Sequence, residues 1–373
     1  MTKPKHSEIS SRIEADIAAG KFTAGARLPS EVQLVKQFTV SRPTVGRALR
    51  ELEAKGLIER RAGSGTYVRS ATAQASSTRI LGLLVPGLGT TEIFQIICGE
   101  IAGLARVKNY GLLWGGSTNP NEDRDASLEH AEELCKQFIA RKISGVFFAP
   151  AELTPGQEQA NRHLAESLRE SGIAVVLLDR DLVEFPRRSD FDLVCLDNMA
   201  SGYMVAEHLI KLGCKRLYFV ARPMSAATVD ARISGVREAL ARHRLEPDPG
   251  WIQFGDPADI KFVRNLVAGQ QADAFICAND NTAAILMRTI EATGFRVPKD
   301  FRVAGFDDVK YATLVSPPLT TIHQPCRDIA TIAFRSMLER LAEPALPARS
   351  ILLPPHLVVR ESCGAYLTRL KPD

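Results

Sequence analysis

The chain of 373 residues has no long hydrophobic run. Its most apolar early stretch, "ILGLLVPGL" at 80–88, contains Pro86 and is too short to cross a bilayer. The first ten residues, "MTKPKHSEIS", lack the apolar core of a secretory leader. No two cysteines stand in a CxxC pair, and the seven present, an odd number, sit mostly among apolar neighbours. That pattern speaks against a disulfide framework or a zinc site and for buried, reduced thiols in the cytoplasm. The HExxH, GxSxG and phosphate-loop signatures are missing too. The expectation is a cytoplasmic protein without metal, cofactor, membrane span or catalytic residues: no enzyme.

What is present is an uneven charge. The formal net charge is +4, yet residues 1–70 hold 13 Lys+Arg against 7 Asp+Glu, while residues 71–373 hold 34 against 36. Such a division suggests a small polyanion-binding head on a near-neutral body. The stretch "RSATAQASSTR" at 69–79 is small, polar and aperiodic, and reads as a linker. The expected domains are therefore 1–70, a linker at 71–79, and 80–373.

In the head, Ser30-Glu31-Val32-Gln33 reads as a capping box, with Val32, Leu34, Val35 and Phe38 as the inner face of the helix it opens. Ser41 can cap a second helix with Pro43 in its first turn. There Val45, Ala48, Leu49 and Leu52 follow the i, i+3, i+4, i+7 spacing of one buried stripe. Arg42, Arg47 and Arg50 point elsewhere, and Gly56 ends the helix. Two short strands joined through Gly63-Ser64-Gly65 complete the segment. A stripe that docks a helix, with arginines on the other side, suits major-groove binding to double-stranded DNA. A glycine-rich tip lets backbone approach the duplex closely.

"FTAGARLPSE" (22–31) and "VSRPTVGRALRELEAKGLIERRAGSGTYV" (40–68) resemble the GntR-family winged-helix domain. The resemblance implies DNA contacts from Arg27, from Ser41, Arg42 and Thr44 at the start of the recognition helix, and from Gly63 and Gly65 in the wing. Gly46 stands where that family commonly has arginine. The adjacent Arg47 remains and is read as a DNA contact, and an altered base preference is expected.

The body alternates short apolar runs (80–85, 111–115, 145–149, 174–179, 193–197, 216–221, 274–278 and 302–306) with amphipathic stretches such as 127–141, 157–171, 199–212, 230–243 and 280–293. This rhythm predicts an α/β fold with parallel sheets covered by helices, and the number of runs predicts two lobes. Polar residues gather where the runs end: Asp179-Arg180, Asp197-Asn198, Asn279-Asp280 and Asp307-Asp308. Open α/β sheets bind ligands at those strand ends, and carboxylates with Arg and Asn suit a hydroxyl-rich ligand. Asp197, Asn198 and Asp280 read as helix caps or turn residues; Asp179, Asn279 and Asp307 read as ligand groups.

Residues 79 to about 362 resemble the sensor domain of LacI-type repressors, a relative of periplasmic sugar-binding proteins. The matching pieces include "VCLDNMASGYMVAEHLIKLGCKRLYFV" (194–220), "DARISGVREAL" (230–240), "ICANDNTAAILMRTIEATGFRVPKDFRVAGFDD" (276–308) and "SPPLTTIHQP" (316–325). The resemblance implies a periplasmic-binding-protein-like body with ligand contacts from Phe94, Asp179, Arg232, Asn279 and Asp307. Ala149 departs from it, standing where relatives place a polar group. Trp114 and Phe147 are read as core rather than ligand contacts, and Lys310 as solvated.

A GntR-type head on a LacI-type sensor resembles the arabinose-repressor (AraR-like) architecture. It implies a homodimeric repressor bound to an inverted-repeat operator and released by a small-molecule effector, a sugar. A nucleobase or amino-acid effector, or a corepressor sense, is the alternative; an enzyme carried on a GntR-type head is the remote one.

Overall fold

The computed structural model describes residues 5–23, 25–61, 64–68, 79–85, 92–115, 124–153, 156–268 and 271–366. Gly63, residues 71–78 of the expected linker and residues 86–91 lie outside the described residues. The chain forms two compact units, Met1–Thr78 and Arg79–Asp373.

The first unit contains α1 (Lys5–Ala18), α2 (Glu31–Phe38), α3 (Arg42–Ala54), β1 (Ile58–Arg61) and β2 (Gly65–Val68). The capping box forms: Gln33 N–H donates to Ser30 Oγ, and Ser30 N–H to Gln33 Oε1. Val45, Ala48, Leu49 and Leu52 of α3 are buried together with Ile9, Ile13 and Leu34. Gly56 takes a left-handed backbone just past α3. β1 and β2 pair antiparallel, Ile58 opposite Val68. Two expectations need correction. Val32 is 55% exposed, because it lies about 200° around α2 from the buried Leu34. Ser41 occupies the N-cap of α3, but its hydroxyl bonds Thr44 Oγ1 at 2.8 Å and caps no backbone N–H.

The second unit has two lobes, each built on a six-stranded sheet. In the first lobe, β3 (Ile80–Leu84), β4 (Gly111–Trp114), β5 (Gly145–Phe148), β6 (Ala174–Leu178) and β7 (Asp192–Leu196) alternate with α4 (Glu92–Val107), α5 (Arg124–Ala140) and α6 (Gln157–Glu170). The second lobe continues with α7 (Asn198–Lys211), β8 (Leu217–Ala221), α8 (Ala227–Arg242), β9 (Ile252–Phe254), α9 (Ile260–Val267), β10 (Ala274–Cys277), α10 (Asp280–Ala292), β11 (Arg302–Asp307), α11 (Lys310–Leu314) and β12 (Thr320–His323). Then α12 (Cys326–Ala342) and β13 (Ser350–Leu353) return to the first lobe, and β14 (His356–Val358) to the second. The strand orders are β13-β7-β6-β5-β3-β4 and β14-β12-β11-β10-β8-β9.

All eight apolar runs are strands. The strand pairings within the two six-stranded sheets are parallel except that of the short edge strand β14, antiparallel to β12. The chain passes between the lobes near 197, 324 and 355, so the ends of β7, β12 and β13 form the joint. α12 anchors that joint, burying Cys326, Ile329, Ala333 and Met337 among Leu81, Phe147 and Val176 of the first sheet. Phe147 is core, stacked on Phe334 at 6.1 Å, whereas Trp114 is 42% exposed at the end of an edge strand. All seven cysteines are free and buried.

Candidate functional site

The first unit presents Arg42, Arg47 and Arg50 at the surface of α3, opposite its buried stripe. Glu31 ties the start of α3 to the hairpin: its carboxylate lies 3.2 Å from Arg42 Nε and 3.5 Å from Arg60 Nη2. Arg27 pairs with Tyr67 of β2 through an isolated bridge. Its guanidinium lies so close to Gly65 that a Cβ there would stand 2.7 Å from Nε. Gly65 has φ +128°, so its backbone requires glycine, whereas the Arg27 side chain could shift to admit a Cβ. A Cβ on Gly46 would meet nothing within 4 Å, so its missing side chain is a property of the helix surface, not of packing.

In the second unit the strand ends converge on a cleft between the lobes. Asp179 and Arg180 follow β6, Asn279 follows β10, Asp307 ends β11, and Arg232 comes from the middle of α8. Asp179 and Asp307 both carry positive φ, 68° and 111°, a strained backbone for non-glycine residues. Arg232 is 5% exposed. Its Nε donates to Asn198 Oδ1 at 2.8 Å, its Nη1 to the Ala278 carbonyl, and its Nη2 lies 3.7 Å from Asp307 Oδ1. The guanidinium covers the Phe306 ring, 4.5 Å from its centroid. Gly202 and Gly235 let α7 and α8 cross closely enough to hold it there; a Cβ on Gly202 would stand 2.0 Å from the Arg232 carbonyl oxygen.

Burial pushes the Asp307 carboxyl up to about 7; Arg232 opposes this, and the Asp179 and Glu152 carboxylates reinforce it. Asn279 is both cleft residue and helix cap, since its Oδ1 accepts from Thr282 N–H at 2.8 Å. Its NH2 takes no part in that cap. Phe94 is buried on α4, under the Arg180 guanidinium at 5.3 Å. The structure thus brings Phe94, Asp179, Arg232, Asn279 and Asp307 to one place. Asp197 caps α7 by accepting from Ala200 N–H. Asn198 orients Arg232. Asp280, fully buried, accepts from Thr321 Oγ1 at 2.6 Å and Val309 N–H at 3.0 Å; burial and then the Asp307 charge raise its pKa well above the ordinary range.

Several cleft groups escaped the sequence reading. Glu152 lies 2.8 Å from Arg180 Nη1 and also accepts from Ala226 N–H across the cleft. Burial raises the Glu152 carboxyl, but Arg180 and the Ala226 N–H more than offset this and hold it below its ordinary value. Gln324, 1% exposed at the joint, donates to Asp179 Oδ1 at 2.8 Å. Lys310 is not simply solvated: its Nζ meets Glu92 of the other lobe at 2.5 Å. The available signal was a charged residue just past a strand, which Arg180 satisfied and Glu152, four residues past β5, satisfied less sharply.

Residues 5–68 match the gntR family of bacterial regulatory proteins, and residues 206–363 the periplasmic binding protein-like domain. The chain joins a gntR-family head to a periplasmic-binding-protein-like body. The arabinose metabolism transcriptional repressor of Geobacillus stearothermophilus is 27% identical over 372 residues, 97% of this chain and 98% of that one. The HTH-type transcriptional repressor PurR of Aliivibrio salmonicida (strain LFI1238) is 28% identical over 303 residues, 79% of this chain and 86% of that one. Among solved structures, a complex of the transcriptional regulator CelR with cellobiose matches with a TM-score of 0.65 at 22% identity, over 87% of this chain and 91% of that one. A LacI family regulator from Enterococcus faecium with bound ribose matches at 0.60 and 22%, over 76% and 98%. The gntR head with this body is the makeup of a ligand-responsive transcriptional regulator. No helix among the described residues is long and apolar enough to cross a membrane.

Proposed function

We propose that the protein is a dimeric repressor, not a catalyst. Its head (1–70) binds an inverted-repeat operator through Arg27, Ser41, Arg42, Thr44, Arg47, Gly63 and Gly65. Its body (80–373) pairs the two copies and binds a sugar in the interlobe cleft, and that sugar releases the DNA.

The observation that carries this reading is the convergence of Asp179, Arg232, Asn279 and Asp307 on one cleft in a chain that also carries a gntR head. Carboxylates accept from sugar hydroxyls, and Arg and Asn donate to them. The balance of charge points the same way: Glu152, Asp179 and Asp307, the last with its pKa pushed up to about 7, at least match Arg180 and Arg232, which leaves no excess of positive charge for an anionic effector. The cytoplasm is the compartment in which such a protein meets its operator. One copy of the small head covers a half-site, so two-fold pairing supplies specificity.

The test is selection of bound sequences from random duplex DNA with the full chain, followed by fluorescence anisotropy with L-arabinose, D-ribose and cellobiose. The expected result is an inverted repeat whose affinity falls about 5–150-fold when the right sugar is added. A sugar that tightens binding would reverse the sense of regulation. A single non-palindromic site bound by a monomer in sedimentation would overturn the dimer.

A further inference from the structure

The polar groups assigned to the sugar enclose a space of only about 40 Å³. Ligand pockets usually run to about 300–1,000 Å³. Two larger cavities adjoin it, of about 620 Å³ and 220 Å³. One residue, Arg180, lines all three. Its side chain is 7% exposed and lies where the three spaces would otherwise join. Glu152 and Asp179 grip it at 2.8 and 3.2 Å, and the Phe94 ring lies beneath it.

We propose that Arg180 is an internal stand-in for the effector: the sugar binds by displacing its guanidinium, taking over Glu152, Asp179 and the Phe94 face. This rests on the sugar reading above. A guanidinium and a sugar ring offer the same things to such a slot. Each presents a face to an aromatic ring, the planar guanidinium by its π face and the sugar by its C–H groups, and a fan of donors to two carboxylates. Both carboxylates are already matched by Arg180, so its charge is not free to anchor an anion. With the side chain swung aside, the inner cleft opens into the outer cavities, which gives room for a ring and for a substituent beyond it. The selected class is a neutral or cationic polyhydroxylated ligand, not a phosphorylated or acidic one.

The sign of one substitution decides the matter. An insertion populated nine times in ten weakens apparent affinity about 10-fold. Arg180→Ala in the full chain should therefore bind the sugar that the parent binds about 10-fold more tightly by calorimetric titration. Methylguanidinium at millimolar concentration should raise the unfolding midpoint of Arg180→Ala and leave the parent unmoved, since only the variant has the slot open. Because Arg180→Ala leaves two buried carboxylates unmatched, it could fail to fold. Arg180→Gln is the second variant: it empties most of the slot, keeps an amide donor beside the carboxylates and leaves every group assigned to the sugar in place, and it too should tighten sugar binding. Weaker sugar binding in both variants would make Arg180 a ligand anchor and overturn the proposal, as would a folded Arg180→Ala indifferent to methylguanidinium. If methylguanidinium stabilises only the variant while no sugar binds either protein, the slot stands and the sugar reading falls.

Discussion

Glu92 on α4 and Lys310 at the start of α11 join the two lobes by two contacts, an ion pair at 2.5 Å and a hydrogen bond from Lys310 N–H to Glu92 Oε2 at 3.1 Å. Elsewhere along the cleft Leu153 N–H donates to the Met224 carbonyl at 2.8 Å and Glu152 accepts from Ala226 N–H. These links hold the lobes together over the polar cleft residues. Glu92→Ala removes both bonds of the first link while leaving the cleft lining intact. Lys310 is largely exposed, and exposed pairs contribute little, so a loss of effector affinity of no more than about 5-fold is expected. A faster sugar off-rate in stopped-flow measurements checks it; an unchanged rate would mean that closure does not depend on this link.

Arg47 and Gly46 make a paired test of the head. Arg47→Ala should weaken operator binding by about 1–3 kcal/mol if the guanidinium meets a base edge, and should relax preference at one position. Gly46→Arg should fold without strain, since a Cβ there meets nothing within 4 Å and glycine inside a helix is disfavoured by about 1 kcal/mol relative to alanine. It should also steepen the salt dependence of DNA binding by about one charge. Competition titrations over a salt series read both effects. A Gly46→Arg variant with an unaltered slope would place α3 away from the duplex.

Much of this was legible because periodic patterns survive in one dimension. The α3 stripe and the eight apolar runs are local signals, and each formed the element its spacing implied. What the sequence did not disclose is non-local. β13 and β14 are three to four residues long and become strands only because β7 and β12 offer them an edge. Glu152 and Gln324 are ordinary polar residues until the joint folds and brings each against Arg180 or Asp179. Val32 was misplaced because Val32, Leu34, Val35 and Phe38, spread over nearly two turns, cannot all face inward, and the pattern alone does not say which is left out.

Arg232 shows how a residue that fits a ligand role can also be structural. Its bonds to Asn198 and the Ala278 carbonyl connect α8 with the start of α7 and the end of β10. Arg232→Ala would leave those two buried groups without their partner, at about 1–3 kcal/mol each. The variant should therefore unfold at a lower temperature before any ligand is added, and it is not a clean probe of effector binding. Urea denaturation with an unchanged slope and a lowered midpoint is the expected outcome. Parental stability would show that Asn198 and Ala278 find other donors.

Asp307 gives the cleft a pH dependence whose sign can be worked out. Burial, with the Asp179 and Glu152 charges, raises its folded pKa to about 7 against Arg232 and Arg180, from about 4 in an unfolded chain. Between those values the folded protein holds a proton that the unfolded one has released. The contribution of Asp307 to stability is therefore complete below about pH 4 and is lost as the pH rises through 7. Sugar binding runs the other way. A hydroxyl that donates to Asp307 needs the carboxylate, so binding must expel the proton wherever it is still present. Raising the pH from 6 to 8 should strengthen sugar binding about 10-fold, with close to one proton released per site at the lower pH and almost none at the higher. Calorimetric titrations in buffers of different ionisation enthalpy count those protons directly. Asp307→Asn should abolish the release and flatten both the affinity profile and the stability slope between pH 4 and 7. A parent protein that binds its sugar with the same affinity and no proton release at pH 6 would mean that Asp307 does not accept the hydroxyl, and the anchor would have to be sought at Asp179.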